Sequence, residues 1–138
     1  MKWDLVVVAL HGAANTVWVG SVLAASVVAL AKTGAPEVRA ELARKVFKGL
    51  AVPSFGLALV LGAARLAMDW HYFMVETHFM HAKLVLAFAA IVAHHVLGVR
   101  LRKLPIDSSK PPRLISLLAL VFGVSCVGSL MLVVVRPF

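Results

Sequence analysis

The sequence predicts an all-α integral membrane fold, a bundle of four transmembrane helices, and three observations carry that reading. Hydrophobic residues make up 62% of the 138-residue chain, against about 45–50% in ordinary soluble domains, and mean hydropathy is +0.95. Those residues gather into four runs, about Leu5–Ala31, Leu50–Met68, Phe79–Val99 and Leu114–Val135. Each run is close to the roughly 20 residues that cross a bilayer as a helix. The stretches between them are too short for a second unit, so residues 1–138 are expected to form one domain.

The first run is expected to be a true helix rather than a cleaved leader. It exceeds the roughly 7–15 apolar residues of a signal core, carries Asp4 as well as Lys2 at its start, and is followed by no clear small-residue cleavage site. After it, Pro36–Lys48 reads as a short amphipathic helix along the membrane interface. Pro36 and Glu37 suit its first turn, and Arg44, Lys45 and Lys48 its last. The third run opens on His78-Phe79-Met80-His81-Ala82-Lys83 and continues apolar to His94-His95. Pro105, Pro111 and Pro112 mark the next segment as a linker that ends just before the fourth helix. The lone Cys126, inside that helix, reads as a small core residue.

Charge sets the expected orientation. Lys32, Arg39, Arg44, Lys45 and Lys48 follow the first helix, and Arg100, Arg102, Lys103, Lys110 and Arg113 join the third to the fourth. Asp69 to Thr77, between the second and third, has no Lys or Arg, and only Lys2 and Arg136 flank that other side. By the positive-inside rule both termini lie outside and the basic segments in the cytoplasm, in a multi-pass protein of the inner (plasma) membrane. The net charge of +8 is accounted for by topology and by anionic headgroups of the lipid bilayer. No aromatic interleaving or motif points to nucleic acid, and no glycine-rich fingerprint points to a nucleotide.

That orientation gathers eight titratable groups at the outer level: His11, Arg65, Asp69, His71, Glu76, His78, His81 and Lys83. Ionisable groups in a hydrocarbon layer are costly and are usually kept because they bind something or move protons. His71 and His78 have an ordinary interfacial explanation, and Lys83 one as a snorkelling side chain. His11 lies well inside its apolar run, with Asn15 and Trp18 on the same helix face at i+4 and i+7. A helical bundle that holds imidazoles can hold haem between its helices. Lys83 there would ligate iron as a neutral amine, pair with a porphyrin carboxylate, or transfer protons.

Farther along the third helix, His81 shares a face with His95, about 40° short of four turns, and Lys83 shares one with His94 within about 20°. A second haem would need partner ligands at the cytoplasmic level of another helix, but helix one has only His11 and helices two and four have no histidine, so two bis-histidine haems in one chain are not expected. His94 and His95 would instead bind a quinone, relay protons, or rest at the interface near Arg100. Methionines at 68, 74, 80 and 131 scatter without a repeated pattern, which argues for core packing over copper handling.

HAKLVLAFAAIVAHHVLGVRLRK (81–103) resembles the third helix of the HemJ-type protoporphyrinogen IX oxidases, with a His-x-Lys and a His-His at this spacing. The ending VVVRPF, His11 with Trp18-Val19-Gly20, and Ala51-Val52-Pro53 with Gly56 and Gly62 are similar to other parts of that family. The resemblance implies a haem b membrane oxidoreductase that removes six electrons and six protons from protoporphyrinogen IX and passes electrons to a quinone or a partner. It implies His11 as haem ligand and Lys83 as the essential lysine, with His81 and His94 at further family positions. Lys83 and His94 are thus the catalytic candidates, and His11, Trp18, Arg65, His81 and Lys83 the cofactor-binding ones. His11 and His81 are the candidate iron ligands, with Lys83 or another group open as the second axial ligand.

The chain departs from the family at two places. SVLAASVVALAKTG (21–34) lacks its Pro-Arg pair and following His, and RLISLLALVFGV (113–124) lacks its Asn-Glu-x-Pro. A looser resemblance to the CopD membrane domain points to a shared haem scaffold with varied duties. The alternative expectation is therefore a b-type cytochrome without its own substrate, an electron-transfer subunit or membrane anchor of a redox complex. Gly20, Ser21, Ala24 and Ala25 would let two copies pack as a homodimer.

Overall fold

A computed structural model of the protein describes residues 3–104 and 113–135. The expectations on Lys2, Lys110, the prolines at 105, 111 and 112, and the closing Arg136-Pro137-Phe138 lie outside the described residues. The described residues form α1 (Trp3–Leu30), α2 (Pro36–Val46), α3 (Val52–Met68), α4 (Phe79–Arg102) and α5 (Arg113–Val135). Four helical stretches are long and apolar enough to cross a membrane: Trp3–Leu30, Pro36–Met68, Phe79–Arg102 and Arg113–Val135. Valine-rich α1 and α5 are helical despite β-branched side chains, because a chain surrounded by hydrocarbon must satisfy its backbone hydrogen bonds within each segment.

The turn from α1 to α2 is set by Gly34, whose φ of 84° is open to glycine at no cost. Ala35 is extended (φ −63°, ψ 133°), as a residue before proline must be, and Pro36 opens α2. Glu37 lies in the first turn of α2 and Arg44 and Lys45 in its last, as expected. The expected separate interfacial helix is corrected in one respect. It does not end at Lys48 but runs on into α3 through a π turn over Phe47–Ala51, so Pro36–Met68 is one helical path of 33 residues. Pro53 explains the irregularity. It has no N–H to give and would crowd the carbonyl one turn back, so the helix widens there and Val52 N–H reaches Phe47 O, five residues back. A second π turn, Tyr72–Glu76, occupies most of the segment expected to be a loop between α3 and α4. Thr77 closes it, its hydroxyl donating to the Tyr72 and Phe73 carbonyls at 3.2 and 3.1 Å.

The helices pack in the spatial order α3, α1, α5, α4, with α2 and its π turn laid against α1. α1 and α4 stand diagonally and α3 and α4 make few direct contacts, so only long side chains bridge those spaces. One end of the bundle is basic, with Lys32, α2 and the facing ends of α4 and α5. The other carries most of the histidines. The core is packed toward the basic end, where Val22, Ala25, Ala43, Ala51, Leu97, Leu101 and Ile115 are buried. Toward the histidine end packing thins: α3 buries nothing beyond Ala58, and α4 nothing between Met80 and Ala90.

Candidate functional site

Two sets of side chains join the helices, one in the loosely packed half between α1 and α3 and one in the dense half between α1 and α4. The first centres on His11. Its Nδ1 lies 2.9 Å from the Ala58 carbonyl of α3. A carbonyl only accepts, so Nδ1 carries the proton and donates. Nε2 is then the lone-pair nitrogen, and it accepts from Asn15 Nδ2 at 3.0 Å, one turn along α1. The same Asn15 amide donates to the His11 carbonyl at 3.0 Å. Both contacts use the i+4 spacing that placed Asn15 on this face.

The imidazole reaches α3 because residue 62 has no side chain. A Cβ on Gly62 would stand 2.8 Å from His11 Cε1, inside any real contact. Gly62 follows Ala58 by one turn, so the gap lies beside the carbonyl that anchors the ring. Lys83, near the start of α4, is half-buried. Lys83 takes part in none of the ion pairs among the described residues.

The other groups expected at this level sort into separate local pairs. Arg65 pairs with Asp69, one turn on, and its guanidinium lies 4.9 Å over the Phe73 ring. It is thereby committed to the helix end rather than turned free toward His11. His71 lies 3.6 Å from Glu76, both exposed. His81 is exposed, its ring 6.4 Å from that of His78. Of the eight groups gathered by topology, His11 and Lys83 thus stand apart from these local pairs.

The second set centres on His94, which is 3% exposed. Trp18 Nε1–H donates to its Nδ1 at 3.1 Å. Phe47, from the π turn, and Phe55, from α3, stack on the imidazole with centroids at 4.7 and 4.8 Å. Phe122 of α5 meets the Trp18 indole edge-on at 5.2 Å. Gly98, one turn beyond His94, makes room for Phe47: a Cβ there would lie 2.7 Å from its ring. Because the Nδ1 lone pair is engaged, the neutral ring carries its proton on Nε2, and any reaction at His94 must go through that nitrogen. His95 is exposed, and its Nδ1 donates to the Ile91 carbonyl at 2.8 Å.

Phe47, Phe55, Gly98, Phe122 and the Ala58 carbonyl escaped sequence reasoning. Gly98 offered a signal, being one turn from a histidine on the same face. The phenylalanines offered none, since apolar aromatics in a membrane helix read as lipid-facing or core without distinction. Among the described residues no three His, Cys, Asp or Glu side chains converge to hold an ion on protein ligands alone. Haem needs one or two, and the hydrogen bonding of His11 is compatible with one of them. An iron-binding histidine ordinarily donates its other N–H to a carbonyl or carboxylate, as His11 Nδ1 does to Ala58, while Nε2 here accepts from Asn15. No protein-family model, curated protein or solved structure matches the chain.

Proposed function

We propose that this chain is a haem b-binding membrane oxidoreductase of the protoporphyrinogen IX oxidase type, passing electrons to a quinone or a partner protein. The single observation that carries this reading is the state of His11. It is fixed in the Nδ1–H tautomer by a backbone carbonyl and packs into the space that Gly62 leaves on α3, while half-buried Lys83 of α4 is in none of the ion pairs among the described residues. Haem, when bound, supplies a one-electron couple. The chain's own residues do the rest.

His11 would present Nε2 to the iron once Asn15 Nδ2, which donates both to it and to the His11 carbonyl, turns away. Lys83 would neutralise a propionate or porphyrinogen carboxylate, or carry a proton from the substrate. A flat ring would have to enter where α3 and α4 pack sparsely against each other. His81 or Lys83 would serve as the second ligand. The basic end would face the cytoplasm of a cell whose inner membrane holds the protein, with the histidine end outside.

A second reading is supported by its own observations. α5 has neither acid nor proline in Arg113–Val135, and His94 has its Nδ1 engaged by Trp18. Both favour an electron-transfer cytochrome b that holds haem without turning over a porphyrinogen.

The test begins with oxidised and dithionite-reduced absorption spectra of detergent-purified protein. Sharp reduced α and β bands are expected, and His11→Ala is expected to abolish or sharply weaken them. Absence of a Soret band in protein expressed with ample haem would sink both readings. Protoporphyrinogen oxidation then separates them: the oxidase reading expects turnover that Lys83→Ala removes while haem stays, and the cytochrome reading expects none.

A further inference from the structure

The six histidines divide by what their ring nitrogens do. His11 and His95 each donate Nδ1–H to a carbonyl, His94 accepts from Trp18, and His71 faces Glu76 at 3.6 Å. His78 and His81 are the two whose imidazoles have no hydrogen-bond or ion-pair partner among the described residues. Both are exposed, and they are neighbours, with ring centroids 6.4 Å apart.

The backbone holds the two on one side of α4. His81 N–H donates to the His78 carbonyl at 3.2 Å, and His78 has helical angles (φ −82°, ψ −24°), so the pair stands at i and i+3 on one turn. Between them Phe79 and Met80 are buried, which pins that turn to the bundle while the flanking imidazoles stay in the open. Just before it, Thr77 is bound to the Tyr72 and Phe73 carbonyls, so the approach is fixed as well. The 24 residues of α4 rise about 36 Å against about 30 Å of hydrocarbon, so its first turn lies at headgroup level, where ions reach it.

We propose that His78 and His81 chelate a divalent cation of the Zn²⁺ type, with water at the remaining positions. Imidazole nitrogens bind Zn²⁺ at about 2.0–2.1 Å, which puts two rings that share an ion roughly 4.5–6 Å apart between centroids. The observed 6.4 Å closes by side-chain rotation of two exposed residues, with the backbone left in place. A pair of imidazoles without a carboxylate selects Zn²⁺, Ni²⁺ or Cu²⁺ over Mg²⁺ and Ca²⁺. Local charge favours a cation, since Asp69 to Thr77 leads in with Asp69 and Glu76 and no Lys or Arg. Lys83 is two residues beyond His81, a spacing that does not set side chains face to face on a helix. The proposal does not depend on haem. An ion on His81 leaves Lys83 as the second iron ligand.

Zinc titration of haem-free, detergent-purified protein without a polyhistidine tag tests it, with a chromophoric chelator as competitor. One ion per chain is expected. His78→Ala and His81→Ala are each expected to weaken binding about 10-fold or more, since losing a ligand costs at least what losing its outer-shell partner does. Wild-type affinity is expected in His71→Ala. A loss there equal to that of His78→Ala would overturn the proposal and move the ion to His71 and Glu76. Wild-type affinity in both His78→Ala and His81→Ala would overturn it outright, as would displacement of zinc by equimolar Mg²⁺.

Circular dichroism confirms that the variants are folded. Electron paramagnetic resonance of the wild-type chain with one equivalent of Cu²⁺ needs no variant, so it keeps the test valid if a variant misfolds. Coupling to two imidazole nitrogens is expected, and coupling to one would overturn the chelate. Absence of a Soret band in haem-supplied protein would leave both metal measurements standing, so failure of the haem reading and failure of this one are told apart.

Discussion

At His11 one ring nitrogen is anchored to α3 and the other is tethered to α1, so the imidazole has no freedom to yield to a new neighbour. Gly62→Ala therefore tests the site without touching a titratable group. The added methyl would stand 2.8 Å from Cε1, and the ring must leave the Ala58 carbonyl to escape it. Haem affinity measured by Soret titration is expected to fall about 10-fold or more, the equivalent of one charge-free hydrogen bond and its geometry. Affinity equal to wild type would mean that Ala58 does not orient the ligand.

Trp18 and His94 call for a different experiment. Trp18→Phe leaves a buried acceptor unmet and is expected to cost about 1–3 kcal/mol in detergent unfolding. Replacing both partners, Trp18→Phe with His94→Phe, removes donor and acceptor together and is expected to cost less than the sum of the single changes. Strict additivity would show that the hydrogen bond adds nothing beyond the packing of the rings. Sequence reasoning reached three of these four residues, His11, Trp18 and His94, because polar atoms stand out in an apolar run and helical spacing assigns their faces. Gly62 was visible only through a family resemblance, and its reason is a contact from another helix, which no local pattern encodes.

The elements follow the same division. The four spans and the start of α2 were legible because hydrocarbon leaves a long apolar segment no option but helix, and because Pro36 and Glu37 suit a first turn. The π turns were not. Pro53 signals a disturbance, but whether the chain breaks, kinks or widens depends on what the displaced residues pack against, and here Phe47 finds the gap at Gly98 and the face of His94. That pairing makes the irregularity useful: the turn is where α2 is fastened to α4. Phe47→Ala is expected to cost about 3–5 kcal/mol by leaving a cavity at a buried ring. Faster hydrogen exchange should accompany it in α2, with α5 little changed. A loss shared evenly by all helices would mean that the turn supports general packing rather than that one junction.

For the whole molecule, the four spans imply that the α1–α2 turn and the Tyr72–Glu76 turn lie on opposite sides of a membrane. Which side each takes is a matter of charge. The described part of the basic end carries nine Lys and Arg against Glu37 and Glu41, while Asp69 to Thr77 carries none. Translocating that many cations is opposed by the membrane potential and by anionic lipids on the inner face, at about 2.3 kcal/mol per charge per 100 mV for the first of these alone.

Single cysteines in a Cys126→Ser background measure the outcome. Thr33 and His71 are exposed in the two turns, so Thr33→Cys and His71→Cys report on opposite ends. A membrane-impermeant maleimide added to intact cells is expected to label His71→Cys and to reach Thr33→Cys only after lysis. The reverse pattern would invert the molecule, and place the His11–Lys83 set at the cytoplasmic level, where a cytoplasmic substrate or reductant would meet it instead. Labelling of both from one side would contradict the number of crossings between them, and with it the bundle on which the site is built.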